Sequence, residues 1–243
     1  MNAGRKPLEP AYVIHRRAYS DTSMIVELLT PAQGRVSVLA RGVKRGKSPK
    51  ALLLQPFRSL HVSWTGRGEL PVLTAAEEAG KTLHLQGEAL ACGYYVNELV
   101  YHLVPKFEPA PELFTHYWPT IKGCLEAATR QADLRYFEVA LLEQLGLAPT
   151  LDHDIVTGHA TDIKGSYFYR VPEGPVPSDV ANGNGIEISG ASLLNIAAMD
   201  FSAPATKAEA KRLTRALIHY HLDGKELLSR KLFKSFSNSG VYK

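Results

Sequence analysis

The chain has 243 residues, 45% of them hydrophobic and 21% charged, with a formal net charge of +4. That balance excludes a disordered polyelectrolyte and requires a folded core. No run of about 18 apolar residues occurs, which excludes a membrane-spanning helix of the usual kind. The charge is uneven. Residues 1–75 hold twelve Lys/Arg against four acids, and residues 205–243 hold nine against three, so the middle is acidic. Two basic ends point to a polyanionic partner. The opening MNAGRKPLEP has no apolar stretch of the signal-peptide kind, so a cytoplasmic protein is expected. The two cysteines, Cys92 and Cys124, fall in helical patterns 32 residues apart and read as buried thiols rather than a disulfide or metal framework.

From Ala11 to about Ala76 the hydrophobic period is two. Met24, Val26 and Leu28 alternate with Ile25, Glu27 and Leu29, and Leu60, Val62 and Trp64 alternate with Ser59, His61 and Ser63. Turn signals at Pro31–Gly34, Gly42–Pro49 and Gly66–Gly68 divide the stretch into about five strands: 11–17, 23–30, 35–41, 57–64 and 69–75. Five short strands in so few residues fit a small closed barrel, because closure removes exposed edges. An OB-fold is expected, with an SH3-like barrel as the alternative.

After Gly80 the period becomes helical. Helices are predicted over 87–104, 111–128 and 132–145, packed as a bundle. In the third, Leu134, Phe137, Leu141, Leu142 and Leu145 share a face, and Gly146 supplies the stop. Residues 148–190, rich in Gly, Pro, Asp and Asn, read as a loop-rich insert with a hairpin at 166–171 and 185–188. Thr206 to Glu209 fits a capping box opening a helix to about Leu222, and a last helix runs from about Lys225 to Phe236. The expected class is therefore α+β. Residues 1–80 form the nucleic-acid-binding barrel. Residues 81–243 form a mainly helical domain with the irregular insert.

The strongest functional signal is Arg41-Gly-Val-Lys44-Arg45-Gly-Lys47-Ser-Pro-Lys50, in which five of ten residues are cationic and none is acidic. A Gly-containing basic loop between strands can follow phosphates without choosing a sequence. With it, Arg16, Arg17, Arg35 and Arg67 complete a candidate nucleic-acid-binding set, and Tyr19 in the Ala18–Thr22 turn is a candidate stacking ring. Trp64 reads as core. Lys207, Lys211 and Arg215 recur at spacing four as a secondary basic stripe, fit for a second DNA contact or an acidic protein partner, or else an ordinary solvated face. Arg135, with Arg130 just before it, stands near an apolar helix face where it pairs with Glu138 or receives a peptide carboxylate. Asp152-His153-Asp154 matches no zinc spacing, so no metal and no cofactor are expected. No P-loop, HExxH or Ser/His/Asp grouping is present, and no enzymatic activity is expected.

The run Ala11-Tyr-Val-Ile-His-Arg-Arg-Ala-Tyr-Ser-Asp-Thr-Ser, then Gly34-Arg-Val, Ala40-Arg-Gly-Val-Lys44, Leu54-Gln-Pro-Phe57 and Gly66-Arg-Gly-Glu69, resembles the bacterial RecO family. Tyr95-Val-Asn-Glu-Leu99, Leu134-Arg-Tyr-Phe-Glu-Val-Ala-Leu-Leu142 and Gly224-Lys-Glu-Leu-Leu-Ser-Arg-Lys-Leu-Phe233 continue the resemblance in order. It implies a nucleoid-associated mediator of DNA repair and recombination that binds single- and double-stranded DNA and anneals complementary strands. It further implies action with RecR to help RecA load on DNA coated by single-strand-binding protein (SSB). The acidic, Phe-ended SSB tail would then meet Arg130, Arg135 and Phe137. Many members carry a four-Cys zinc site in the insert; no cysteine stands there in this sequence, which looks like the zinc-free branch.

Overall fold

The computed structural model describes residues 8–43, 49–66, 68–80 and 82–238. Five strands come first: β1 (Glu9–Ala18), β2 (Met24–Thr30), β3 (Gly34–Ala40), β4 (Ser59–Thr65) and β5 (Val72–Glu78). They close into a barrel in the order β1-β2-β3-β5-β4. All neighbours are antiparallel except β3 and β5, which run parallel through Leu39 and Val72. Five strands, this order and one parallel closing pair are the OB arrangement, and the SH3-like alternative falls away. Between β3 and β4 lies a short helix, α1 (Pro49–Leu53), in a stretch read from sequence as loop.

The barrel is filled by Val13, Val26, Leu28, Val36, Val38 and Val62, with Trp64 among them. The alternation in β2 has a second meaning. Its other face, Ile25, Glu27 and Leu29, is buried too. The outer side of β1 is covered by α2 (Gly87–Leu103) and α3 (Pro111–Gly123). Asn97 on α2 donates to the Ile14 carbonyl at 2.9 Å, and the Tyr117 hydroxyl donates to Asn97 at 2.7 Å. Both buried polar groups are thereby satisfied where leaving either unpaired costs about 1–3 kcal/mol. Tyr12 stacks against Phe114 and Trp118 of α3.

The chain divides into two compact units, Met1–Lys122 with Leu227–Lys243, and Gly123–Glu226. This division corrects the expected three-helix bundle. Helices α2 and α3 belong with the barrel because they cover β1, whereas α4 (Arg130–Gln144) belongs to the second unit. The last helix, α7 (Ser229–Asn238), returns to the first unit. Both carboxylate oxygens of Glu98 accept the backbone N–H groups of Leu228 and Ser229, each at 2.8 Å, and so cap its start.

In the second unit a three-stranded antiparallel sheet, ordered β7-β6-β8, is built from β6 (Ser166–Arg170), β7 (Gly174–Pro177) and β8 (Ile186–Ser189). It packs with α4, α5 (Gly190–Ala197) and α6 (Pro204–His221) around Val139, Leu142, Tyr169, Leu193, Leu213 and Leu217. Helix α4 ends as its sequence implies: Gly146 has φ +69, and the Leu147 N–H bonds the Leu142 carbonyl at 2.8 Å. Helix α6 does not start as expected. Pro204 occupies the first turn, and Thr206 is buried inside the helix. Glu209 does not reach back to cap the helix; it accepts the N–H and the hydroxyl of Ser189, tying α6 to the end of β8.

Candidate nucleic-acid interface

Cross-strand register places Ala18, Met24 and Ala40 in one row at one end of the barrel. Arg17 and Tyr19 flank Ala18, and Arg41 follows Ala40. All three are exposed, Tyr19 to 59%. The turn that holds Tyr19 is closed by its own N–H and that of Ser20 on the Ser23 carbonyl. Helix α1 sits at the same end. Arg16 Nη1 donates to its Ala51 carbonyl at 3.4 Å, and exposed Lys50 shares a shallow depression with Arg41 and Leu73–Ala76 of β5. Arg17, Tyr19, Arg41 and Lys50 therefore surround one rim, and the Arg41–Lys50 connection arises from it. Lys44, Arg45, Lys47 and Arg67 lie outside the described residues.

The opposite end is different. There the Thr30–Gly34 turn requires glycine at its last position: φ at Gly34 is +57, and a Cβ would stand 1.8 Å from the Glu108 carbonyl oxygen. Arg35 follows directly, and its side chain is committed inside the molecule. Nη1 pairs with Glu27 at 3.2 Å, Nε donates to the Val104 carbonyl at 2.9 Å, and the guanidinium lies over the Tyr101 ring. Glu27 is 2% exposed and also accepts the Ser37 hydroxyl at 2.8 Å. Sequence alone read Arg35 as a phosphate contact. Nη1 supplies the counter-charge to a carboxylate that would otherwise be buried without one, and Nε serves the Val104 carbonyl. Gly66 and Gly68, on either side of Arg67, line a depression of about 420 Å³ with Gln33 and Phe107, again at this end.

The second unit brings the other predicted residues to places the sequence did not show. Arg135 is 3% exposed and Phe137 fully buried. Arg135 Nη2 donates to Glu138, and the Thr214 hydroxyl of α6 donates to the other Glu138 oxygen. Glu138 is thus a fully buried carboxylate that holds α4 to α6. Nε and Nη1 of Arg135 are buried with no hydrogen-bond partner. Arg130 Nε donates to the Cys124 carbonyl at 2.7 Å. Lys207 is half-buried, and Lys211 and Arg215 are exposed along one side of α6.

The Asp152–Asp154 group is used locally. His153 Nδ1 contacts Asp152 at 2.7 Å. Asp154 accepts the Val156 and Thr157 N–H groups at 2.9 and 2.7 Å and the Thr157 hydroxyl at 2.6 Å. Those bonds, the Thr157 hydroxyl first, hold the Asp154 carboxyl below the ordinary value of 3.8. A depressed carboxyl contributes stability above its unfolded pKa and loses it as pH falls through the folded one. Amide exchange at Val156 and Thr157 is therefore expected to accelerate relative to neighbouring amides as pH falls below the ordinary carboxyl value of 3.8 and through the lowered one. Asp154→Asn should remove that pH dependence, and an unaltered exchange profile in the variant would contradict it.

Two family models match the chain: Recombination protein O N terminal over residues 7–80, and Recombination protein O C terminal over residues 84–231. The chain is 42% identical over 230 residues to the DNA repair protein RecO of Methylococcus capsulatus, covering 95% of this chain and 94% of that protein. It is 43% identical over 231 residues to the DNA repair protein RecO of Dechloromonas aromatica, covering 93% and 94%. Nitrosococcus oceani has a RecO that is 41% identical over 236 residues, covering 97% and 96%. Matches in both halves and at nearly full length place the OB-type barrel and the helical unit in one known pairing, and the chain belongs to the RecO family of DNA repair and recombination proteins.

Proposed function

We propose that the chain binds DNA at the α1 rim of the barrel, anneals complementary strands there, and acts with RecR to help RecA load on SSB-coated single strands. One observation carries the DNA reading: exposed Arg17, Arg41 and Lys50 converge on a single rim around the most basic connection of the chain. Three cations around a basic, glycine-containing stretch of sequence supply the counter-charge for phosphates without reading bases. Exposed Tyr19 on the same rim offers a ring on which a base can stack, which favours single strands. Annealing follows from neutralisation. Two strands repel through their phosphates, and a protein that screens both lowers the barrier to pairing.

The test is binding of a single-stranded oligonucleotide across a salt series by wild type and by the variant Arg17→Ala/Arg41→Ala/Lys50→Ala. All three residues are exposed, so the fold should persist. Loss of three phosphate contacts should reduce the slope of log affinity against log salt by about 2. An unchanged slope would remove this rim from the DNA interface.

A second element of the proposal concerns a protein partner. Arg135 offers two buried, unpartnered guanidinium nitrogens. A carboxylate arriving from a peptide accepts from one of them, since Nε and Nη1 lie on opposite edges of the guanidinium. This supports receipt of the acidic, Phe-ended SSB tail near Arg135, with Phe137 acting from beneath as packing. A labelled acidic peptide ending in Phe should bind wild type and lose at least tenfold on Arg135→Lys, which keeps the charge but not the fork. Equal binding by both proteins would exclude Arg135 from the site.

A further inference from the structure

We infer that the outer face of α6 is a second, independent track for a nucleic-acid backbone, so that one chain can hold two strands at once. The inference rests on the DNA-binding reading of the barrel and extends it to a separate site in the second unit.

Helix α6 is buried on one side through Thr206, Ala210, Leu213, Thr214, Leu217 and Ile218. Its outward side carries Lys207, Lys211, Arg215 and His219 at strict spacing of four, with Arg212 beside them. Successive members stand about 6 Å apart along the helix axis, one above another on a single face. Glu209, on the same helix, accepts from Ser189 and interacts with Arg212, and one carboxylate against Lys207, Lys211, Arg212 and Arg215 leaves the face net positive. Among the described residues, Lys207, Lys211 and Arg215 form no ion pair.

Such a stripe is not a stabilising device. Like charges four residues apart on a helix repel, and cations near a helix N-terminus oppose its dipole. Its benefit therefore lies outside the chain, with a polyanion. The stripe fits a phosphate backbone better than an acidic protein surface. Protein interfaces are built around buried apolar or aromatic anchors with charge at the rim. Here the neighbouring outward row runs Ala208, Arg212 and Ala216, which offer no such anchor along the stripe, and carries a ring, Tyr220, at its end. What it does offer is a repeating charge on a flat face and, at its far end, the 54% exposed Tyr220 ring against which a base can stack.

Two tracks on one chain give annealing a stoichiometric basis, since each strand arrives neutralised by its own site. The test uses the full chain with two non-complementary oligonucleotides of different mass, counted per protein chain by native mass spectrometry, together with annealing of complementary strands. Wild type should show complexes of one chain with two strands. Lys211→Glu/Arg215→Glu, both exposed, should keep the one-strand complex within about threefold in affinity, lose the two-strand complex, and anneal at least tenfold more slowly. Two-strand complexes at wild-type level in this variant would overturn the inference while leaving the barrel reading intact. Wild type that binds no strand at all would overturn both. Loss of two-strand complexes only in Arg17→Ala/Arg41→Ala/Lys50→Ala would place both strands on the barrel and overturn the α6 track alone.

Discussion

Replacing Glu138 by alanine is expected to destabilise the second unit by about 3–5 kcal/mol, the cost of breaking a buried ion pair by removing one partner. The residue is fully buried, and its two oxygens serve Arg135 and Thr214. Its loss leaves the Arg135 guanidinium, itself 96% out of contact with water, as an uncompensated charge. The Thr214 hydroxyl retains the Ala210 carbonyl at 2.9 Å, so most of the cost comes from Arg135. The double variant Glu138→Leu/Arg135→Met tests that assignment. It removes both charges at similar volume and should recover most of the stability, as apolar replacement of whole buried pairs does. Amide exchange along α4 and α6 is the suitable readout, because both tryptophans, Trp64 and Trp118, lie in the first unit. A single variant within 1 kcal/mol of wild type would show that the pair is solvated in solution.

The same pair shows where sequence reading stops. Strand and helix periods located all five barrel strands and most helices, because alternation and 3.6-residue spacing are local properties. The resemblance in chain order supplied the family. What escaped was set by distant contacts or by length. Helix α1 is five residues long and sits beside a run of cations and glycine, so its composition reads as loop. Helix α5 begins at Gly190, directly after β8 and capped by the Ser189 hydroxyl on the Ser192 N–H, with too few residues to show a period. The apparent capping box at Thr206 failed because Pro204 had already begun the helix.

Charge reading stops short for a related reason. A cation in a sequence carries no mark of where its counter-ion is. Arg17, Arg41 and Lys50 are exposed, while Arg35, in the same basic stretch, finds Glu27 eight residues away across the β2–β3 ladder. One local signal existed. Glu27 faces the covered side of β2, and a carboxylate there needs a partner on the neighbouring strand. Arg35 and Ser37 occupy the two β3 positions within reach, opposite Leu29 and Glu27. Arg135 gave a similar hint, with Glu138 three residues on, but nothing local showed that both would be buried by α6.

Arg35→Ala separates the two meanings of a basic residue most sharply. As an internal partner it should cost the barrel about 3 kcal/mol, the lower end for a broken buried pair, because Ser37 still donates to Glu27. Lost with it are the bond to the Val104 carbonyl and the contact over Tyr101, both of which join the barrel to α2 and the segment after it. Trp64 in the barrel core and Trp118 against Tyr12 report this loss directly in a fluorescence-monitored denaturation. As a phosphate contact, by contrast, Arg35 would leave stability nearly unchanged and reduce the salt slope of single-strand binding by roughly 0.7. The geometry requires the first result: a lowered denaturation midpoint, with the slope unchanged under conditions where the variant stays folded. Adding Glu27→Gln to Arg35→Ala removes the orphaned charge and should restore about half of the lost stability, since the amide can still accept from Ser37. A variant with native stability and a reduced slope would return Arg35 to the DNA interface and move that interface toward the Thr30–Gly34 end of the barrel.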